Sequence, residues 1–161
     1  MPSITICVSV LVASLAAAQT PDGFSIKSQL PLRITLNPLR TPVVPGMLDP
    51  INETVAAPTL YVPDLTASNT TTSYTAMMID EAVPLFHWLQ IELVEASCSN
   101  KTLKPAANSS NNGIITPFVC PQPLRGQGPH GYVVLLFRQP ESWSMRSKYS
   151  NIVDPKTPTG S

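Results

Sequence analysis

The chain has 161 residues, a length typical of one domain, and its ten acidic and ten basic side chains leave it without net charge. Only 12% of the residues are charged and 43% are hydrophobic, which favours a packed core over a disordered chain. Because the basic residues are scattered, the sequence has no electrostatic footprint for nucleic acid, and we expect no such partner. Eighteen prolines and the lack of long amphipathic helical stretches favour a mainly β class.

The N-terminus has the character of a secretion signal. Residues 4–17 form an apolar run without a charged side chain, and Ala16-Ala17-Ala18 fits the small-x-small pattern of a cleavage site. The run is shorter than the roughly 20 residues that a membrane-spanning helix needs, which disfavours the alternative of a membrane anchor. We therefore predict a signal peptide over residues 1–18, a domain over 19–150 and a flexible tail over 151–161, with no transmembrane segment in the mature chain.

Two further features agree with secretion. Cleavage would remove Cys7 and leave Cys98 and Cys120 as an even pair, for which we predict a disulfide, with two buried free thiols as the alternative. Acceptor sequons for N-glycosylation lie in polar, turn-like segments. They begin at Asn52, Asn69, Asn100 and Asn108. The sequence thus predicts a secreted, extracellular glycoprotein.

Several stretches have the alternation or the β-branched composition of strands. In chain order, strands are predicted over residues 29–37, 58–62, 74–80, 87–94, 114–119 and 132–138, and a short helix over 142–147. The six residues between the strands 74–80 and 87–94 are few enough for these two strands to be neighbours.

Side-chain alternation also predicts which residues share a face. In the strand 87–94, His87, Leu89, Ile91 and Leu93 are expected on one face and Trp88, Gln90 and Glu92 on the other. The strand 132–138 is apolar on both faces, which indicates a buried, central strand.

Both histidines of the chain are predicted at strand ends. Asp80 ends one strand, His87 begins the next and His130 enters a third, so their side chains would converge if the strands are neighbours. Imidazole and backbone N–H groups donate to phosphate or carboxylate oxygens, Asp80 would orient a ring or accept from an ammonium group, and Tyr132 adds a hydroxyl. Judged from the residues alone, two packed and internally satisfied histidines are the commoner alternative.

Two sequence motifs favour a ligand-binding pocket over packed, internally satisfied histidines. Gly126-Gln-Gly128-Pro129-His130-Gly131-Tyr132 resembles the Gly-x-Gly-x-His-Arg-Tyr signature of the phosphatidylethanolamine-binding protein family. Met78-Ile-Asp80-Glu-Ala-Val-Pro84 resembles that family's Asp-Pro-Asp-Ala-Pro segment, and His87 matches the histidine that follows it. The sequence departs from the family pattern at Glu81 and Ala82, where the family has Pro and its second Asp, and at Gly131, where it has Arg.

The resemblance covers residues 58–139 and implies an antiparallel β-sandwich with few short peripheral helices. It also implies an anion-binding pocket at one end of the sandwich, formed by Asp80, His87, His130 and Tyr132, with Gly128 in the loop that lines it. The sequons and cysteines are similar to those of secreted fungal members of the family.

The leading hypothesis is a secreted binding protein for small anionic or phosphorylated ligands, such as phospholipid head groups. The alternative is an inhibitor of a serine-type (carboxy)peptidase, acting through a surface segment such as the N-terminal arm 19–26. We expect no enzymatic activity, and the chain lacks the Gly-x-Ser-x-Gly nucleophile motif that a serine hydrolase would need. No cofactor is expected. Asp80, His87 and His130 could also be interpreted as a two-His-one-carboxylate metal site. The family resemblance has them binding anions instead, so no metal is expected.

Overall fold

The protein is folded mainly into antiparallel β-strands. The computed structural model describes residues 32–37, 39–46, 48–49, 51–61, 72–83, 85–96, 101–124 and 126–149, all of them within one unit, Leu32–Ser161. The strands are β1 (Arg33–Asn37), β2 (Thr41–Pro42), β3 (Ala56–Tyr61), β4 (Tyr74–Asp80), β5 (Leu85–Glu95), β6 (Leu103–Pro105), β7 (Ile114–Thr116) and β8 (Tyr132–Arg138). Single 3₁₀ turns occur at Ile51–Glu53, Ser110–Gly113 and Ser147–Tyr149. The mainly β class with few short helices, predicted from the sequence, is confirmed.

The larger sheet has the order β6-β5-β4-β8, and β7 also pairs with β5. Every pairing in it is antiparallel. A short turn joins β4 to β5, so the predicted neighbourhood of these strands is confirmed. The turn is held by Asp80, whose Oδ1 accepts hydrogen bonds from the backbone N–H groups of Ala82 and Val83 at 2.8 and 3.3 Å. This Asx-type turn brings the end of β4 and the start of β5 together.

The smaller sheet has the order β2-β1-β3 and packs through β3 on the larger one. Leu60 of β3 is 2% exposed and belongs to the same buried cluster as Ala76 and Met78 of β4. Trp88 and Leu93 of β5 complete this cluster. From β8, alternate residues Tyr132, Val134 and Leu136 pack against it. The core therefore lies between the two sheets, as in a sandwich.

Two β-bulges in β5 overturn the predicted division of its faces. The register against β4 shifts between Met78 and Ile79, beside His87, and again between Tyr74 and Ala76, beside residues 91–92. Glu92, at the second shift, has a φ of 55°. Each bulge adds one residue to β5 and so exchanges the faces beyond it. As a result Trp88 and Leu93 lie in the same core cluster, although simple alternation placed them on opposite faces.

Three other local predictions were wrong. β8 is the terminal strand of the described sheet order and only Val133 in it is buried, so it is not a central strand covered on both faces. The short helix predicted over residues 142–147 is absent there, and a 3₁₀ turn occurs instead at Ser147–Tyr149. The predicted strand 114–119 ends at Thr116, and β6 was not predicted at all.

The features that indicated secretion are partly outside the described residues, as are the predicted signal peptide and tail. Cys120 is a free thiol in the structure, which therefore does not show the predicted disulfide, and its predicted partner Cys98 is not among the described residues. Asn52 and Asn108 are exposed, as glycosylation requires, whereas Asn69 and Asn100 are not described. Within the described ranges there is no helix long and apolar enough to cross a membrane.

Candidate functional site

The candidate site is built where β4, β5 and β8 meet at one end of the larger sheet. Asp80 is the last residue of β4, Tyr132 is the first of β8, and the two are directly paired. His87 lies at the first bulge of β5, and His130 precedes β8 by two residues. The four side chains expected to converge are therefore brought together, and the bulge is the local feature that positions His87.

Asp80 is the best-connected side chain of the group. It is 3% exposed, and its Oδ2 accepts a hydrogen bond from Nδ1 of His130 at 2.7 Å, while its Oδ1 is taken by the turn. Burial by itself raises the pKa of this carboxyl, but the hydrogen bonds from His130, Ala82 and Val83, together with the charge of His130, outweigh burial and lower the pKa below its ordinary 3.8. Asp80 is therefore an ionised carboxylate that holds the His130 ring in place.

The second histidine ring is held by the backbone. Nδ1 of His87 donates to the carbonyl oxygen of Val119 at 2.8 Å, and the N–H of Val119 donates to the carbonyl oxygen of His87 at 2.7 Å. His87 is only 5% exposed, so the ring has little freedom to turn. No sequence pattern indicates Val119 as a partner, because a carbonyl group carries no side-chain signature.

In both rings Nδ1 is therefore the nitrogen that is hydrogen-bonded to an acceptor of the protein itself. A carbonyl and a carboxylate can only accept, so Nδ1 carries the proton in each ring. Within the described residues, no hydrogen bond occupies the Nε2 atom of His87 or His130. In a neutral ring this Nε2 is an acceptor, and in a protonated ring it is a donor. The chemistry that the site offers thus depends on the charge of the two imidazoles.

Tyr132 lies between the two rings. Its ring makes an edge-to-face contact with His87, with centroids 5.1 Å apart, and is roughly parallel to that of His130 at 6.4 Å. Burial, the charge of Asp80 and a hydrogen bond to Asp80 raise the pKa of the phenol to about 12. The hydroxyl is therefore neutral across the physiological range.

Two residues of the loop before β8 differ in their relation to the site. Gly128 is exposed with a φ of 77°, and a Cβ added there would meet no atom within 4 Å, so it is a turn position in open space. At Gly131, in contrast, an added Cβ would collide with Oε2 of Glu81. The Glu81 carboxylate therefore lies over Gly131, a contact that sequence reasoning missed.

An apolar cavity of about 310 Å³ lies on the face of the larger sheet opposite to the core cluster. Met77, Phe86, Leu89, Phe137 and Trp143 are among the residues that line it. None of the four site residues takes part in its lining. It is thus separate from the polar cluster at the sheet end.

Comparison with known proteins agrees with the fold and the motifs. The family model for phosphatidylethanolamine-binding protein matches residues 22–159, most of the chain. The protein therefore belongs to the phosphatidylethanolamine-binding protein family, as the resemblance of its motifs implied. The chain is also 28% identical over 165 residues to phomoidride biosynthesis cluster protein N of Talaromyces stipitatus, an alignment that covers 93% of this chain and 81% of that protein. No solved structure matches the chain.

Proposed function

We propose that the protein binds small anionic or phosphorylated ligands, such as phospholipid head groups, and that it does so as a binding protein and not as an enzyme. The observation that carries the proposal is that both histidines use the same ring nitrogen for an internal partner. Each ring is anchored through Nδ1 to an inner acceptor, at 2.8 Å in His87 and 2.7 Å in His130, and within the described residues no hydrogen bond occupies Nε2 of either ring. Membership of the family supports a ligand-binding role in general.

Anion binding requires the rings to be protonated. With Nδ1–H already donated inwardly, a second N–H on each ring exists only in the imidazolium form. An imidazolium N–H donates charge-assisted hydrogen bonds to phosphate oxygens, which are shorter and stronger than neutral ones. Ligand binding should therefore be coupled to proton uptake by the rings.

Asp80 acts on the ligand through His130. Its oxygens accept from the turn N–H groups and from the ring, so the carboxylate is committed to internal partners. The hydrogen bond from Nδ1 of His130 to this carboxylate fixes the position of the ring. In this proposal Asp80 is a positioning residue. Tyr132 contacts both imidazole rings and so sets their separation.

We also propose that the protein is secreted and glycosylated. The apolar N-terminal run and the four sequons of the sequence support this, and Asn52 and Asn108 lie exposed where a glycan would be tolerated. Peptidase inhibition remains a prediction from the sequence, since the arm over residues 19–26 lies outside the described residues and no structural observation favours it.

The test is a calorimetric titration of the purified protein with n-propyl phosphate and with phosphoethanolamine at pH 5.5 and pH 8. Histidine side chains change charge in this range, so we expect saturable binding that is tighter at pH 5.5. Repeating the titration at pH 6.5 in buffers of different ionisation enthalpy measures the protons taken up. Because the chain has only two histidines, uptake by imidazoles is assigned to His87 and His130.

Two variants provide the controls. The double change His87→Ala with His130→Ala should abolish both phosphate binding and proton uptake. Tyr149→Phe, an exposed position on the segment after β8, should leave both unchanged. A folded wild-type protein that binds neither phosphate at either pH contradicts the proposed function, as does a double variant that binds as tightly as wild type.

A further inference from the structure

The strand β8 leaves one edge of the larger sheet open. It is the terminal strand in the order β6-β5-β4-β8, and it runs for seven residues, Tyr132–Arg138. Its pairing with β4 is antiparallel and continuous, without a register shift. The backbone groups on its other side have no hydrogen-bonding partner within the described ranges of the chain. A regular, unpaired strand of this length is a template for pairing with another strand.

The hydrogen bonds at both ends of β8 show which of its backbone groups face outward. The N–H of Glu81 donates to the carbonyl oxygen of Gly131 at 2.9 Å, and the N–H of Gln139 donates to that of Ser73 at 2.8 Å. Because backbone groups alternate in an antiparallel ladder, the odd-numbered residues from 131 to 139 bond to β4. The N–H and C=O groups of the even-numbered residues therefore point away from the sheet. They belong to Tyr132, Val134, Leu136 and Arg138.

The strands at the other ends of the two sheet orders carry features that discourage such pairing. Short length and prolines, which cannot donate a backbone hydrogen bond, are common at edges that stay unpaired. β2 has two residues and ends at Pro42, β6 has three and ends at Pro105, and β3 contains Pro58. β8 has no proline, and its one charged residue is Arg138. Among the described strands that end a sheet, β8 is thus the one left open to a partner.

A second copy of β8 can supply the matching backbone groups. Two copies can run antiparallel with Leu135 on a two-fold axis. Tyr132 then faces Arg138 of the second copy, and Val134 faces its Leu136. These four residues are the ones whose backbone groups point outward, so every outward group finds a partner. Leu135 falls at a non-hydrogen-bonded pair, where the two Cα atoms are about 4.5 Å apart.

The side chains also match in this arrangement. Val133 faces Phe137 of the second copy, and a β-branched residue opposite an aromatic one is a favourable cross-strand pair. Phe137 is 37% exposed, so it has surface to bury against a partner. Arg138 faces Tyr132, an aromatic partner for its cation. The two arginines lie about 20 Å apart at opposite ends of the interface, whereas parallel strands would place them side by side.

We propose that two copies of this protein associate through β8, which pairs antiparallel with β8 of the second copy about a two-fold axis at Leu135. The larger sheets of the two copies then form one continuous sheet. A second copy is the partner that fits, because its β8 supplies complementary backbone groups and side chains and keeps the two arginines apart. The interface is a property of the sheet edge and does not depend on the proposed function.

Sedimentation equilibrium of the purified protein measures the association. We expect a reversible dimer whose population rises with protein concentration. Leu135→Lys places two ammonium groups side by side on the two-fold axis, and because like charges in direct opposition repel strongly, the dimer should weaken about a hundredfold. Leu124→Lys adds the same charge at a side chain that is 70% exposed and outside the strands, and should leave the dimer unchanged. Circular dichroism shows whether each variant is folded.

Disulfide formation tests the register, and it does so even if Leu135→Lys prevents folding. Cα atoms about 4.5 Å apart suit a disulfide, so Leu135→Cys should give a covalent dimer linked through position 135 on mild oxidation. Val133→Cys and Phe137→Cys should each give none, since each position lies roughly 14 Å from its own copy. An equal mixture of these two variants should link. The wild-type protein, with its own cysteines, gives the background, and peptide mass spectrometry identifies the linked positions.

Three outcomes would overturn the proposal. A wild-type protein that stays monomeric at every concentration would leave the open edge to an extended segment of a different protein. A dimer that Leu135→Lys does not weaken would show that the copies meet through another surface. Efficient linking through position 133 or 137 alone, without linking through position 135, would contradict the two-fold register.

Discussion

The side chain of Asp80 has both a structural and a functional role. The same carboxylate closes the turn between β4 and β5 and orients His130 across to β8. A buried carboxylate is costly unless it is hydrogen-bonded, and this one has internal partners on each of its oxygens. The residue that positions the ring is thus also one that stabilises the fold.

Asp80→Asn should therefore lower stability in a pH-dependent way. At pH 7 the amide NH₂ would face the Nδ1–H of His130, and we expect a loss of about 1–3 kcal/mol. The folded-state pKa of Asp80 is depressed below 3.8, so its charge contributes stability above that value and loses the contribution as pH falls through the folded pKa. Urea unfolding of both proteins should show the difference narrowing below about pH 4. A difference that is constant from pH 7 to pH 3 would contradict this account.

The raised pKa of Tyr132 makes the stability of the protein fall with increasing pH, at alkaline pH, in contrast to the effect of Asp80. Its pKa is raised from 10.0 to about 12, so the neutral phenol is favoured in the folded state. This contribution is complete below the unfolded value of 10.0 and is lost as pH rises through the folded pKa. Relative to Tyr132→Phe, the wild-type protein should lose roughly 3 kcal/mol over this window. Unfolding at increasing pH measures the loss, and parallel stability curves for the two proteins would refute it.

The strands β4, β5 and β8 show which features of the fold the sequence can and cannot predict. The bounds of β4 and β8 were predicted correctly, because their β-branched and apolar residues are bordered by turn-forming ones. The bulges in β5 could not be predicted, since Glu92 adopts a φ of 55° without any glycine to indicate it. The residues of the candidate site were predicted from their places at strand ends and from family motifs, which carry positional information that the alternation pattern lacks.

Two further contacts near the site, made by Val119 and Glu81, could not be predicted from the sequence. Val119 was placed at the end of a strand, yet its function is to hold His87 through backbone atoms. Glu81 was noted only as a departure from a motif, and its place over Gly131 follows from the packing of the turn against β8. Both contacts are tertiary, so no local pattern reports them.

The second bulge of β5 is stabilised by hydrogen bonds to the side chain of Gln139. The side-chain Oε1 of Gln139 accepts from the backbone N–H of Glu92 at 2.8 Å and from the hydroxyl of Thr75 at 3.1 Å. Gln139→Leu leaves both donors unpaired and should destabilise the protein by about 1–3 kcal/mol. Gln139→Glu keeps an acceptor oxygen at the same place and should lose less. Urea denaturation ranks the three proteins, and a leucine variant as stable as wild type would show that the bulge does not need this acceptor.

The association of the two sheets depends on a small core. Leu60 is the residue of the smaller sheet in the central cluster, and it is 2% exposed. Leu60→Ala should cost about 2–5 kcal/mol through lost burial and the cavity left behind. Leu124→Ala, at a side chain that is 70% exposed, should change stability by less than about 0.5 kcal/mol. Thermal unfolding provides the comparison, and similar shifts for both variants would show that the sheets do not depend on this contact.

The pairing of β4 with β8 has a consequence for how the protein folds. Asp80 and His130, which form the central hydrogen bond of the site, are 50 residues apart in sequence. Pairing across such a separation is slow, because the entropy of closing the intervening loop is lost before the contacts form. The site is therefore completed only when this late pairing is made, and a ligand can recognise only chains that have made it. Bound ligand should accordingly slow unfolding while leaving the refolding rate unchanged.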